Sequence, residues 1–110
     1  MIKEILTAAG FIENKTFRKT RFTQPPKGTY AVYTDDITND GPDGINAIKL
    51  HDYTVELYEP LPDDKAEETL EAILDEYGVN WSKQDRYWLQ SEQMYQTVYD
   101  FQIKEKRRIK

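Results

Sequence analysis

Apolar and polar residues alternate most cleanly late in the chain. Tyr95, Thr97, Tyr99, Phe101 and Ile103 share one face of an extended segment, and Gln96, Val98, Asp100 and Gln102 share the other. A period of two predicts a strand. A second alternation runs from Ile48 to Glu59 (IKLHDYTVELYE). One of its faces carries Ile48, Leu50, Asp52, Thr54, Glu56 and Tyr58, and the other Lys49, His51, Tyr53, Val55 and Leu57. The apolar side changes partway, which predicts a bulge or bend near His51. A short strand is expected over 30–34 (YAVYT), and a strand, or two joined by a tight turn, over 79–91 (VNWSKQDRYWLQS).

Two segments repeat at helical spacing instead. Ile2, Ile5, Leu6 and Ala9 predict a short helix over 1–10 that stops at Gly10. Ala66, Leu70, Ile73, Leu74 and Tyr77 form one apolar stripe along 65–78, which ends at Gly78. Asp63 or Asp64 can cap that helix, with Glu67 completing a capping box. Glu67, Glu68, Glu71, Asp75 and Glu76 then read as its solvated face.

Between these elements, 13–29 is basic and ends at Pro25-Pro26, where the chain must be extended. Residues 35–46 (DDITNDGPDGIN) read as a flexible acidic loop, long for a plain hairpin. The sum is an α+β fold in a single domain spanning 1–110. A mainly antiparallel sheet carries two helices on one face, in the order α-β-β-(β)-α-β-β. A charged C-terminal tail over 104–110 is expected to fray.

Composition changes the picture in three ways. Tyr, Trp and Phe make up 13% of the chain, which favours a folded domain despite a charged fraction of 32%. The absence of cysteine removes disulfides, thiol nucleophiles and thiolate metal sites. The N-terminal segment is too short and charged for a signal peptide, and no apolar run is long enough to span a bilayer, so a soluble intracellular protein is expected. The net charge of −5 is also unevenly spread: residues 1–30 and 104–110 each carry +4, and 31–103 carry −13. Such segregation favours head-to-tail association.

Candidate chemistry is sparse. His51 is the single histidine, and its neighbour Asp52 points to the opposite face of a strand, so the two cannot form a local pair. Ser82 and Ser91 do not lie in a nucleophile-elbow sequence. The loop carrying Asp35, Asp36, Asp40 and Asp43 is acidic enough to gather a weak cation but lacks the spacing of a calcium loop. No glycine-rich phosphate signature occurs. Lys15, Arg18, Lys19, Arg21 and Lys27 interleave with Phe17 and Phe22, yet a body of −13 repels a long duplex. The expectation is no cofactor, no metal, no membrane and no sequence-specific nucleic acid.

The runs HDYTVELYEP (51–60), LEAILDEYGV (70–79) and SEQMYQTVYDFQI (91–103), with the preceding PKGTYAVYTDDITNDGPDG (26–44), resemble the small tail-completion proteins of siphophages and related prophages of Gram-positive hosts. These are also called tail-terminator or head–tail joining proteins. The resemblance covers roughly 25–103 and is a pattern of elements rather than an invariant motif. It implies a non-enzymatic subunit of a ring, often hexameric, that ends the tail tube and docks to the head connector. The implied partners are further copies of the chain, the tail tube protein and a head-completion or connector protein. The implied location is the virion's head–tail junction, with the host cytoplasm before assembly. Contact residues are expected in the loop (Asp35, Asp36, Asp40, Asp43) and the tail (Lys104, Lys106, Arg107, Arg108). The basic segment 13–24 has no counterpart in the resemblance. A head-completion or connector adaptor is the neighbouring alternative. A small metal-dependent enzyme using His51 and the Asp loop is the alternative of another class.

Overall fold

A computed structural model describes residues 1–40, 48–61 and 64–106. Eight elements follow in chain order: α1 (Ile2–Ala8), β1 (Phe17–Lys19), β2 (Tyr30–Asp40), β3 (Ile48–Glu59), α2 (Asp64–Glu76), β4 (Trp81–Lys83), β5 (Tyr87–Leu89) and β6 (Met94–Lys106). The fold is α+β, as expected. One sheet of six strands runs β1-β2-β3-β6-β4, and β5 also pairs with β6. All pairings are antiparallel except β1 with β2.

The buried half of the sheet follows from alternation. Tyr53, Val55 and Leu57 of β3 are level with Tyr33, Ala31, Tyr99 and Phe101 of the neighbouring strands. Their side chains meet Ile2, Ile5 and Leu6 of α1 and Leu70 and Leu74 of α2 in one core. Both helices thus lie on the same face. Each ends in a Schellman motif. After α1, Gly10 (φ +100°) bonds to Thr7 and Phe11 to Leu6; after α2, Gly78 (φ +71°) bonds to Asp75 and Val79 to Leu74. The left-handed turn is what both glycines supply. On the opposite face a smaller cluster of Tyr30, Val32 and Met94 packs with Phe22 and Tyr58.

Several expectations are corrected. The strand expected over 30–34 continues to Asp40, so residues 35–40 are β2 rather than loop. Their ladder with β3, register Asp35↔Tyr53 to Asp40↔Ile48, overrides a composition poor in strand formers. The bulge expected near His51 is absent: β3 keeps one register with β2 and β6 along its whole length, and its odd residues from His51 to Glu59 are all buried. Lys104 to Lys106 extend β6 instead of fraying. Phe17–Lys19 forms a short parallel edge strand within the basic segment. Tyr77, placed in the stripe of α2, is 38% exposed past the end of that helix.

Candidate assembly surface

The three long strands outrun the short edge strands that flank them. β1 pairs with β2 only at residues 31–33, and β4 pairs with β6 only at 99–101. Beyond these points β2, β3 and β6 continue as a three-stranded ribbon, from Asp35↔Tyr53↔Phe101 to Asp40↔Ile48↔Lys106. The radius of gyration is 15.4 Å and the extents are 49 × 29 × 23 Å. A compact chain of this length would have a radius of about 13 Å.

Past the core the inner row of the ribbon is mixed, with Asp35, His51 and Glu105 beside Ile37 and Ile103. His51 Nδ1 lies 3.0 Å from both carboxylate oxygens of Asp35, and Nε2 lies 3.3 Å from Glu105 Oε2. The ring stacks on Tyr53, with centroids 5.3 Å apart and planes within 4°. His51 and Asp35 side chains are each only 10% exposed, whereas Glu105 is 57% exposed. A carboxylate can only accept, so the neutral ring satisfies one of these partners and the imidazolium satisfies both. Burial and then the charge of Asp35 push the Tyr53 hydroxyl up to about 12. The cluster ties all three ribbon strands together.

Outside the Tyr30, Val32 and Met94 cluster, side-chain hydrogen bonds run along the open face. Thr54 donates to Asp100 at 2.7 Å, and Gln102 donates to Asp52 at 2.9 Å. Tyr58 donates to Glu56 at 2.7 Å and accepts from Gln96 at 3.0 Å.

The acidic helix α2 is also not a plain solvated face. Glu67 is 4% exposed and pairs with Lys83 at 2.8 Å and with Arg86 Nε at 3.0 Å. Glu71 accepts from Tyr99 at 2.7 Å and Lys83 at 2.8 Å, and Asp75 accepts from Trp81 at 2.8 Å. Burial on its own raises the Glu67 carboxyl, but hydrogen bonds from Lys83 and Arg86 outweigh it and hold the group below the ordinary carboxylate range. These contacts clamp α2 onto the edge of the sheet.

The residues singled out in the sequence now have places. Asp35 is on the helix side, bonded to His51; Asp36 is exposed on the open side, level with Asp52. Asp40 ends β2, Lys104 is exposed on β6 level with Leu50, and Lys106 ends β6. Asp43, Arg107 and Arg108 lie outside the described residues. The acidic and basic groups therefore lie at one end of the molecule, on the two outer strands of the ribbon. Among the described residues no group of three or more His, Asp and Glu is arranged to hold a metal ion. No helix among them is long and apolar enough to cross a membrane. Sequence reasoning missed the His51 cluster. The register sets 35 and 37 beside 53 and 51, whereas a hairpin centred on the middle of the turn-rich run 35–46 would not.

No protein-family model and no curated protein matches the sequence. Among solved structures, a chain of the virion of a native gene transfer agent particle shares the fold. The TM-score is 0.58 at 12% sequence identity, over 89% of this chain and 81% of that chain. At that identity the likeness is one of fold alone.

Proposed function

We propose that this chain is a structural subunit of a phage-like virion, of the tail-completion type: a ring subunit at the head–tail junction that works by binding and shape, without turnover. The observation that carries this reading is the fold shared, nearly end to end, with a chain of a gene transfer agent virion. The resemblance of 25–103 to tail-completion proteins supports the finer assignment. So does the ribbon, whose open strand edges suit contact between subunits.

Electron microscopy of particles made with and without this gene tests the proposal. Abnormally long tails in its absence would support a tail terminator. Heads and normal-length tails left unjoined would support a joining role, with a head-completion or connector adaptor as the neighbouring reading. Intact infectious particles would overturn it.

A further inference from the structure

The two outer strands of the ribbon have open edges, and the edges differ in charge. Beyond Tyr33 nothing described pairs with the outer side of β2, and beyond Phe101 nothing described pairs with the outer side of β6. The direction of the free groups follows from the bonds just before each edge opens. Ala31 N–H donates to Thr16 and Tyr33 C=O accepts from Thr20, so odd residues of β2 face outward. Val98 C=O accepts from Gln84, so even residues of β6 face outward. The free edges thus present the backbone of Asp35, Ile37 and Asn39 on one side and of Gln102, Lys104 and Lys106 on the other. Each spans about 17–20 Å at the usual rise of a strand.

An exposed edge of this length templates pairing with another chain, and proteins generally cover or blunt it. Here the chain turns away from the β2 edge at Thr20, a β-branched residue held at φ +72°, which is a strained conformation. Ile37, in the middle of that edge, is 49% exposed. Residues 35–40 carry three aspartates and no cation, while 102–106 carry two lysines and one glutamate. Glu105 is turned to the helix side and engaged by His51. Asp36 and Lys104 both lie on the open side, since Lys104 is level with Thr38 through Leu50. Two β2 edges repel each other, as do two β6 edges. A β2 edge and a β6 edge attract.

We propose that the β2 edge of one copy of this chain pairs with the β6 edge of the next, extending the ribbon from subunit to subunit. β2 and β6 are both antiparallel to β3 and so run the same way, which makes the new pairing parallel when the copies are related by rotation about a common axis. The contact is heterologous, and heterologous contacts close into rings when the rotation fits. The occupant of each edge is a second copy of this chain. The inference deepens the ring proposed above and rests on it for its biological setting.

Disulfide trapping tests it, because the chain has no cysteine of its own. In an Asp36→Cys, Lys104→Cys double variant the two sites of one molecule stand two strand spacings across and two residues along, about 12 Å, too far for a bridge within the chain. Oxidised particles and the oxidised purified protein would be run without reductant. The expected result is a ladder extending past the dimer, at least ten-fold stronger than in either single variant. Adding Ile37→Pro should abolish the ladder. Proline there removes an outward N–H and leaves the β2–β3 ladder whole, which a circular dichroism spectrum like that of the parent would show. Particles that contain the variant but give no ladder would overturn the edge pairing and leave the virion role standing. A ladder in the purified protein that never enters particles would overturn the virion role and leave the edge pairing standing. No ladder in either setting, or a ladder indifferent to Ile37→Pro, would overturn the edge pairing.

Discussion

The same three strands run through two regions held together by different physics. Under the helices, Val55, Leu57 and Tyr99 are fully buried and packed against Leu70, Leu74, Ile5 and Leu6. Further along the ribbon the inner row becomes His51 with Asp35 and Glu105, between Ile103 at the margin of the core and a half-exposed Ile37. The body draws on the transfer of apolar surface out of water, and the ribbon draws on its backbone ladder and a few polar contacts. A strand can thus be anchored at one end by a core and offered to a partner at the other. Such a ribbon belongs to the low-stability end of a fold, where local opening is easiest.

The comparison predicts a hierarchy of effects. Leu57→Ala should cost about 2–5 kcal/mol, because its site lies in the middle of the sheet and cannot collapse easily. Urea denaturation would read this, and amide exchange should show both regions weakening together.

Glu67→Gln should cost about 1–3 kcal/mol, since Lys83 and Arg86 lose the carboxylate that faces them. Its pH signature is more specific. A carboxyl held below its unfolded value, 4.5 for Glu67, contributes stability above that pH and loses it as pH falls through the folded value. The parent should therefore lose stability more steeply than Glu67→Gln between about pH 5 and pH 3, as thermal melts in a buffer series would show.

His51→Ala should cost about 1 kcal/mol, and the loss should be confined to the ribbon. Amide exchange should quicken at residues 35–37 and 103–105 while the urea midpoint moves little. A midpoint shift as large as that of Leu57→Ala would show that the two regions are one cooperative unit. Gln102→Ala, which removes an exposed hydrogen bond to Asp52, should change stability by less than about 0.5 kcal/mol.

The body was largely legible in the sequence, because its signals are periodic. The alternation of 95–103 and the stripe of Leu70 and Leu74 each report a buried face directly, and both helix ends carry a glycine whose conformation the turn requires. The ribbon was legible only in part. Residues 35–40 are rich in Asp and Asn, so local propensity reads as loop, and only the ladder with β3 makes them strand. The apparent change of buried face near His51 has the same origin. A histidine paired with carboxylates sits where an apolar residue is expected, so the phase is continuous although hydrophobicity is not. Glu67 was read as solvated because an acidic residue beside the apolar stripe of α2 is more simply exposed than buried. Its burial depends on Lys83 and Arg86, which arrive from beyond the helix. The opposite charges of 35–40 and 104–106 were visible in composition, but their place at one end depends on the sheet order.

That order also governs how the molecule can form. β6 lies between β3 and β4, and β4 and β5 pair with nothing in the sheet except β6. Residue 59 meets residue 95, and residue 48 meets residue 106, so the central ladder closes only over long stretches of chain. Loop-closure entropy must be overcome before those contacts help, and topologies of this kind fold in milliseconds to seconds rather than microseconds. Until β6 docks, β3 presents its whole length as a vacant template. The interval before that docking is when the chain is most exposed to premature pairing with other copies, and the rate of that one event sets how long the exposure lasts.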